Sequence, residues 1–142
     1  MSRYLGIDYG TKRVGIAISD GLGLTARPLE VVKRNDAVSR LSELVSTYDV
    51  AKLIIGLPTA LGGFEGSSAE AAREFGQELS KCTGAKVEYM DERFTSRMAE
   101  TALIDSGMKR RDRRETVDKV AAAIILQAYL DRSGNDGNSD DS

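Results

Sequence analysis

Carboxylates at three separated points of the chain have the residue types and settings of a hard-metal site. Asp8 lies inside an apolar segment with the character of a core strand. Asp91 and Glu92 follow a second such segment, and Asp118 opens the last helical pattern. Carboxylate oxygens select Mg²⁺ or Mn²⁺, ions that activate water and stabilise the departing oxygen in phosphodiester hydrolysis. An ionised carboxylate removed from water needs a partner, and a metal shared with the other acids would meet the need of Asp8.

Each acid also has an ordinary structural interpretation. A cation or a set of backbone donors could satisfy Asp8 instead of a metal. Asp118 falls in a first helical turn, where the helix dipole favours negative charge, although it shares the apolar face of that helix. Asp91 and Glu92 could belong to a turn. Because strand side chains alternate, only one of these two neighbours faces the same side of the sheet as Asp8.

The chain has no histidine and a single cysteine, Cys82, which narrows the chemistry. Imidazole bases, Ser-His and Cys-His nucleophile pairs and most transition-metal sites are thereby excluded. An internal disulfide is excluded as well, which fits a reducing compartment. Neither a signal peptide nor an apolar run long enough to span a bilayer is present, so we expect a cytoplasmic protein without membrane contact.

Positive charge is concentrated locally rather than spread over the chain. Residues 131–142 carry four Asp and one Arg, so that a total net charge of -2 leaves +1 for residues 1–130. The run 109–114, five of whose six residues are basic, directly precedes the predicted helix that carries Asp118. Such clusters contact several phosphates without reading sequence, although a solvated loop is the ordinary explanation. The residues predicted to bind nucleic acid are Lys12, Arg13, Arg93, Lys109, Arg110, Arg111, Arg113 and Arg114.

The hydrophobic pattern predicts the elements that must position these residues. Three strand patterns with short connections come first, then strands and helices alternate. This order predicts an α/β fold: a five-stranded mixed sheet, with a three-strand antiparallel meander followed by parallel strands, and helices on both faces. Strands are predicted at 3–8, 14–19, 26–32, 53–57 and 87–90, and helices at about 35–48, 67–82, 95–105 and 115–130. One domain over residues 1–130 and a disordered acidic tail over 131–142 are expected.

Five motifs give the chain a resemblance to a known family. In order and spacing they resemble the YqgF/RuvX family, which has the ribonuclease-H-like fold and is assigned to Holliday-junction resolution or to maturation of the 5′ end of precursor small-subunit rRNA. The motifs are Gly6-Ile7-Asp8-Tyr9-Gly10-Thr11-Lys12-Arg13, Arg27-Pro28-Leu29, Ile55-Gly56-Leu57-Pro58, Asp91-Glu92-Arg93-Phe94-Thr95-Ser96, and Val117-Asp118 before Ala121-Ala122-Ala123.

The resemblance implies a metal-dependent endonuclease acting on structured RNA or branched DNA. By resemblance, Asp8, Glu92 and Asp118 match the catalytic, metal-binding triad that holds Mg²⁺ or Mn²⁺, with Asp91 as the alternative to Glu92. It implies a role in ribosome biogenesis or in DNA recombination and repair. Symmetric cutting of a junction would require two active sites, and thus a homodimer.

Two functions of other classes also fit parts of the sequence. Residues 6–11 resemble the first phosphate loop of sugar kinases and actin-like proteins, but 142 residues are too few for the two domains those proteins need. A nucleic-acid-binding or ribosome-assembly factor that keeps the fold without cleaving is the other alternative.

Overall fold

A five-stranded mixed sheet forms the centre of the computed structural model, which describes residues 3–10, 12–57, 67–91 and 119–132. The sheet order is β3-β2-β1-β4-β5; β1, β2 and β3 pair antiparallel, whereas β1, β4 and β5 pair parallel. The predicted meander followed by parallel strands is therefore confirmed. The strands are β1 Arg3–Tyr9, β2 Arg13–Ser19, β3 Ala26–Lys33, β4 Val50–Leu57 and β5 Lys86–Asp91.

Helices cover both faces of the sheet, as predicted. Helix α1 spans Ala37–Tyr48 after a single 3-10 turn, Arg34–Asp36, and α2 spans Ser67–Thr83. The last helix, α3, is described over residues 119–132. It continues two residues into the segment predicted as a tail, whereas the predicted helix 95–105, the start of the predicted helix 115–130 and residues 133–142 lie outside the described residues. None of the helices in the described ranges is long and apolar enough to cross a membrane.

The apolar residues form one cluster on each face of the sheet. Helices α1 and α2 pack on one face, where their buried residues meet Leu5, Ile7 and Ile55. Helix α3 packs on the other face against Ala17 and Ile54. Strand β4 contributes to both clusters, which explains its continuous apolar run. The two faces are thus distinct environments, and alternation along each strand decides which one a side chain enters.

Helix α3 lies directly on the backbone of β1 at Gly6. A Cβ atom on Gly6 would lie 2.6 Å from the Ala122 carbonyl oxygen and 2.7 Å from the Leu126 Cβ. Both distances are far below van der Waals contact, and neither neighbour is the movable end of a long side chain. Glycine is therefore required here because two backbones approach closely.

We predict that Gly6→Ala lowers the free energy of unfolding by about 1–3 kcal/mol, the usual cost of overpacking, because the added methyl pushes α3 off the sheet. Urea denaturation followed by circular dichroism measures the change. Gly21→Ala is the matched control, since a Cβ there meets nothing within 4 Å. Equal stability of the two variants would show that α3 does not need this close approach.

Candidate functional site

Asp8 lies near the carboxyl end of β1, on the sheet face that α3 covers. Its neighbours on that face of β1 are Tyr4 and Gly6, and it pairs with Gly15 of β2. Asp8 is half-buried and has at least one interaction partner in the protein. That its carboxylate needs a metal, a cation or backbone donors stays a prediction.

Helix α3 runs antiparallel to β1, so its amino-terminal end points toward the Asp8 end of the strand. The Tyr129 ring meets the Tyr4 ring edge-on, with centroids 6.1 Å apart, near the start of β1. Ala122, seven residues earlier in α3, lies over Gly6. Moving toward the start of the helix therefore moves along β1 toward Asp8.

Strand β5 presents alternate residues to the same face as Asp8. Met90 packs in the α3 cluster, and Glu88 binds Tyr129, whereas Tyr89 packs on the α1 and α2 side. Position 91 pairs with Leu57, which also belongs to the α1 and α2 cluster. The strand pairing thus groups position 91 with position 89 in the alternation along β5.

A polar network fastens α3 to the sheet at the end opposite Asp8. Lys52 donates to the Tyr129 hydroxyl at 2.9 Å, and that hydroxyl donates to Glu88 at 2.7 Å. Lys52 also pairs directly with Glu88 at 2.9 Å. The hydrogen bond with Tyr129 is the main reason that the pKa of Lys52 is raised, against the opposing effect of burial. Burial alone would raise the pKa of Glu88, but the hydrogen bonds from Tyr129 and Lys52 and the lysine charge lower it.

A tight turn joins β1 to β2 and places two cations beside the Asp8 end. The Gly10 N–H donates to the Arg13 carbonyl at 2.9 Å. A Cβ on Gly10 would lie 2.6 Å from that same oxygen, so the turn requires glycine. Lys12 is exposed and Arg13 is half-buried. The two described cations predicted to bind nucleic acid are therefore held next to the candidate catalytic strand.

Tyr9 locks the end of β1 from the opposite face. Its ring stacks on Phe75 of α2, with centroids 4.1 Å apart. Its hydroxyl accepts a hydrogen bond of 2.6 Å from Arg34 Nε, and the Arg34 guanidinium carbon lies 4.5 Å from the ring centroid. The backbone N–H of Arg34 also donates to the Lys12 carbonyl at 3.0 Å. These contacts fix the Asp8 end of β1 against both α2 and the segment after β3.

An open cleft of about 680 Å³ lies between the β1–β2 turn and the end of β3. Lys12 and Arg13 were predicted from the sequence, whereas Lys33 and Arg34 on the opposite side of the cleft were not. The signal for those two was hairpin register, because antiparallel pairing places the end of β3 beside the start of β2. The described lining residues are Lys12, Arg13, Val31, Val32, Lys33, Arg34 and Asn35.

Most of the remaining predicted site residues lie outside the described residues. Asp91 ends β5. Within the described ranges, no three His, Cys, Asp or Glu residues lie together as a metal site would require. The predicted residues outside those ranges are Glu92, Arg93, Lys109, Arg110, Arg111, Arg113, Arg114 and Asp118.

The sheet order and the helices on both faces place the chain in the ribonuclease-H-like class. The structure of Thermus thermophilus RuvC in complex with a Holliday-junction substrate is similar, with a TM-score of 0.56, 19% sequence identity and coverage of 94% of this chain and 97% of that one. The fowlpox virus resolvase in complex with Holliday-junction DNA gives a TM-score of 0.52 at 13% identity, covering 92% and 97%. At these identities the likeness concerns the fold.

Sequence comparison assigns the family within that class. The family model described as "RuvX: Holliday junction resolvase" matches residues 2–132. A "Putative pre-16S rRNA nuclease" of Lactococcus lactis subsp. cremoris (strain MG1363) is 45% identical over 135 residues, covering 92% of this chain and 94% of the relative. The protein of the same name from Moorella thermoacetica is 43% identical over 138 residues, covering 95% and 99%. The chain belongs to the RuvX family, as the motifs predicted.

We predict that Glu88→Gln destabilises the fold at neutral pH but not at strongly acidic pH. The folded-state pKa of Glu88 lies below its ordinary value of 4.5. Its contribution is therefore complete above that value and is lost as pH falls through the folded-state pKa. Urea denaturation should show a loss of about 1 kcal/mol at neutral pH, after allowance for solvent screening, and almost none near pH 2.

Glu78→Gln serves as the control for that measurement, because Glu78 is exposed on α2 and its loss should change stability little at either pH. A deficit of Glu88→Gln that is the same at both pH values would contradict the assigned role of its charge.

Proposed function

We propose that this protein is a Mg²⁺- or Mn²⁺-dependent endonuclease that cuts phosphodiester bonds in structured nucleic acid. The main support for the proposal is the position of Asp8. It lies at the carboxyl end of β1, on the face that α3 covers, and the amino-terminal end of α3 points toward it. Membership of the RuvX family and the names of its relatives support the same chemistry. Asp8, Glu92 and Asp118 are the proposed catalytic residues.

The assignment of Asp118 follows from helical spacing. Ala122 lies over Gly6, and Asp118 precedes Ala122 by four residues, or about one helical turn of 5.4 Å. Asp8 lies two strand residues beyond Gly6, or about 6.6 Å along β1. A continuation of the helical spacing by one turn would bring position 118 to the Asp8 end of β1. This correspondence favours a catalytic role for Asp118 over a dipole effect alone.

The alternation of side chains along β5 supports Glu92 rather than Asp91. In the alternation along β5, position 91 falls with Tyr89, which packs on the α1 and α2 side. If the chain stays extended, the next position falls with Glu88 and Met90, on the side of the sheet where Asp8 lies. Glu92 is accordingly the proposed third carboxylate.

The donor set suits a hard divalent cation. Carboxylate oxygens bind Mg²⁺ and Mn²⁺, whereas a chain without histidine offers no imidazole for softer metals. Bound there, such a cation would supply an activated water and would stabilise the leaving oxygen of the phosphodiester. Asp8, Glu92 and Asp118 would hold it, and the rigid end of β1 would keep the Asp8 carboxylate in place.

Basic residues around this end of the sheet would hold the substrate backbone. Lys12 and Arg13 lie beside the Asp8 end of β1, and we propose the same role for Arg93 and for the basic run Lys109, Arg110, Arg111, Arg113 and Arg114. Contacts of this kind set affinity and salt dependence and do not select sequence. The relatives of 39–45% identity carry the rRNA name, so precursor rRNA is the first substrate and a four-way DNA junction the second. On a junction, symmetric cutting would require a homodimer.

We predict that the purified chain cuts at least one of these two substrates only when Mg²⁺ or Mn²⁺ is present. Asp8→Asn should lower the single-turnover rate by at least about 100-fold. Loss of a residue that only hydrogen-bonds to a metal ligand costs about 10- to 100-fold, and loss of the ligand itself should cost more. Its circular dichroism and melting temperature should stay near those of the wild type.

Asp49→Asn is the matched control for the loss of one carboxylate. Asp49 is exposed at the opposite end of the sheet, in a left-handed backbone conformation that Asn also accepts. It should cut at the wild-type rate. Wild-type cutting by Asp8→Asn would reject the site, and binding without metal-dependent cutting would instead favour a non-catalytic assembly factor.

A further inference from the structure

The cleft between the β1–β2 turn and the end of β3 is lined on both sides by cations. Lys12 and Arg13 come from the first side, and Lys33 and Arg34 from the second. None of the described lining residues is acidic. A concave surface with one sign of charge concentrates the opposite charge more strongly than a flat surface does.

The strand register places two of these cations directly opposite each other. Arg13 pairs with Lys33 across the β2–β3 ladder, and the next pair on the same face is Gly15 with Val31. The two positive charges therefore come from neighbouring strands at the same place along the sheet, and an anion in the cleft would contact both side chains.

The same register connects the cleft to Asp8. Asp8 pairs with Gly15, and Gly15 pairs with Val31, which lines the cleft. Neighbouring strands lie about 4.8 Å apart, so the backbones at Asp8 and Val31 are separated by about 10 Å. Arg13 and Lys33 lie on the same face, two residues along their strands from Gly15 and Val31. An anion in the cleft would therefore lie close to the cation proposed at Asp8.

The cleft is also preorganised. The Arg34 side chain is held by the Tyr9 hydroxyl and ring, and the Arg34 backbone N–H donates to the carbonyl of Lys12. These contacts join the two sides of the cleft and tie them to the residue that follows Asp8. Groups that are already fixed lose less conformational entropy when they bind a ligand.

We propose that this cleft, with Lys33 and Arg34 as well as Lys12 and Arg13, holds the phosphodiester backbone of the strand that flanks the cut. The proposal rests on the nuclease function proposed above and adds the direction in which the substrate leaves Asp8: across β2 toward the edge strand β3. A chain of phosphates fits because it carries regularly spaced negative charges, so that one phosphate would contact the cation proposed at Asp8 while another lies in the cleft. Contacts of this kind would not read sequence.

Binding of fluorescent precursor rRNA and of a four-way DNA junction, measured by anisotropy in EDTA between 50 and 200 mM KCl, tests the proposal. Lys12→Gln combined with Lys33→Gln removes two exposed charges. It should raise Kd at least about fivefold at 100 mM salt for both nucleic acids. It should also reduce the slope of log K against log salt by about 1–2. Lys33→Arg, which keeps the charge, should bind like the wild type.

The matched control is Lys81→Gln combined with Lys86→Gln. It removes two exposed charges near the amino-terminal end of β5, away from the cleft. Its Kd should change by less than about twofold. Equal binding by the two double variants would overturn the cleft assignment. So would a polyglutamate peptide that displaces the nucleic acid as well as an oligonucleotide of equal charge does, since an acidic protein would then be the better partner.

Cleavage by the wild type in Mg²⁺, from the same preparation, separates the two proposals. If the wild type cuts but the cleft variant binds as tightly as the control, the cleft assignment alone fails. If the wild type neither binds nor cuts, both proposals fail. Cutting by the wild type together with weakened binding by the cleft variant supports both.

Discussion

The contact between α3 and the backbone of β1 at Gly6 is the constraint on which the candidate site depends. A helix can approach a sheet this closely only where a side chain is missing, and Gly6 supplies that place at the cost of about 0.5–1 kcal/mol of strand stability. The contact fixes both the depth and the direction of α3. Asp8 lies two places further along β1 on the same face, and its side chain is half-buried.

The two ends of this face have different chemistry. At one end, the network of Lys52, Tyr129 and Glu88 is closed, because each polar group finds its partner inside the protein. At the Asp8 end, the neighbouring cations Arg13 and Lys33 oppose each other across the β2–β3 ladder. The network of Lys52, Tyr129 and Glu88 stabilises the packing of α3, and the cations at the Asp8 end line the cleft for which we propose nucleic-acid binding.

Periodicity alone was sufficient to predict the strands, their order in the meander and the helices on both faces, because each depends on local pattern and short connections. The register between the strands could not be predicted from the sequence. The ladder pairs position 91 with Leu57, and this pairing supports the proposal of Glu92 over Asp91, a choice that sequence left open. It also brings Lys33 beside Arg13, although the two are twenty positions apart in the sequence. The stack of Tyr9 on Phe75 was missed for the same reason, since it joins segments distant in sequence.

The central claim is that the acids sharing the Asp8 face act together on a bound divalent cation, and strand parity makes it testable at two adjacent positions. Single-turnover cleavage of precursor rRNA in Mn²⁺ should be compared for Asp91→Asn and Glu92→Gln, with folding checked by circular dichroism. The account predicts that Glu92→Gln loses at least about 100-fold in rate and binds Mn²⁺ more weakly, whereas Asp91→Asn stays within about tenfold of the wild type. The reverse order, or equal activity of both variants, would contradict it.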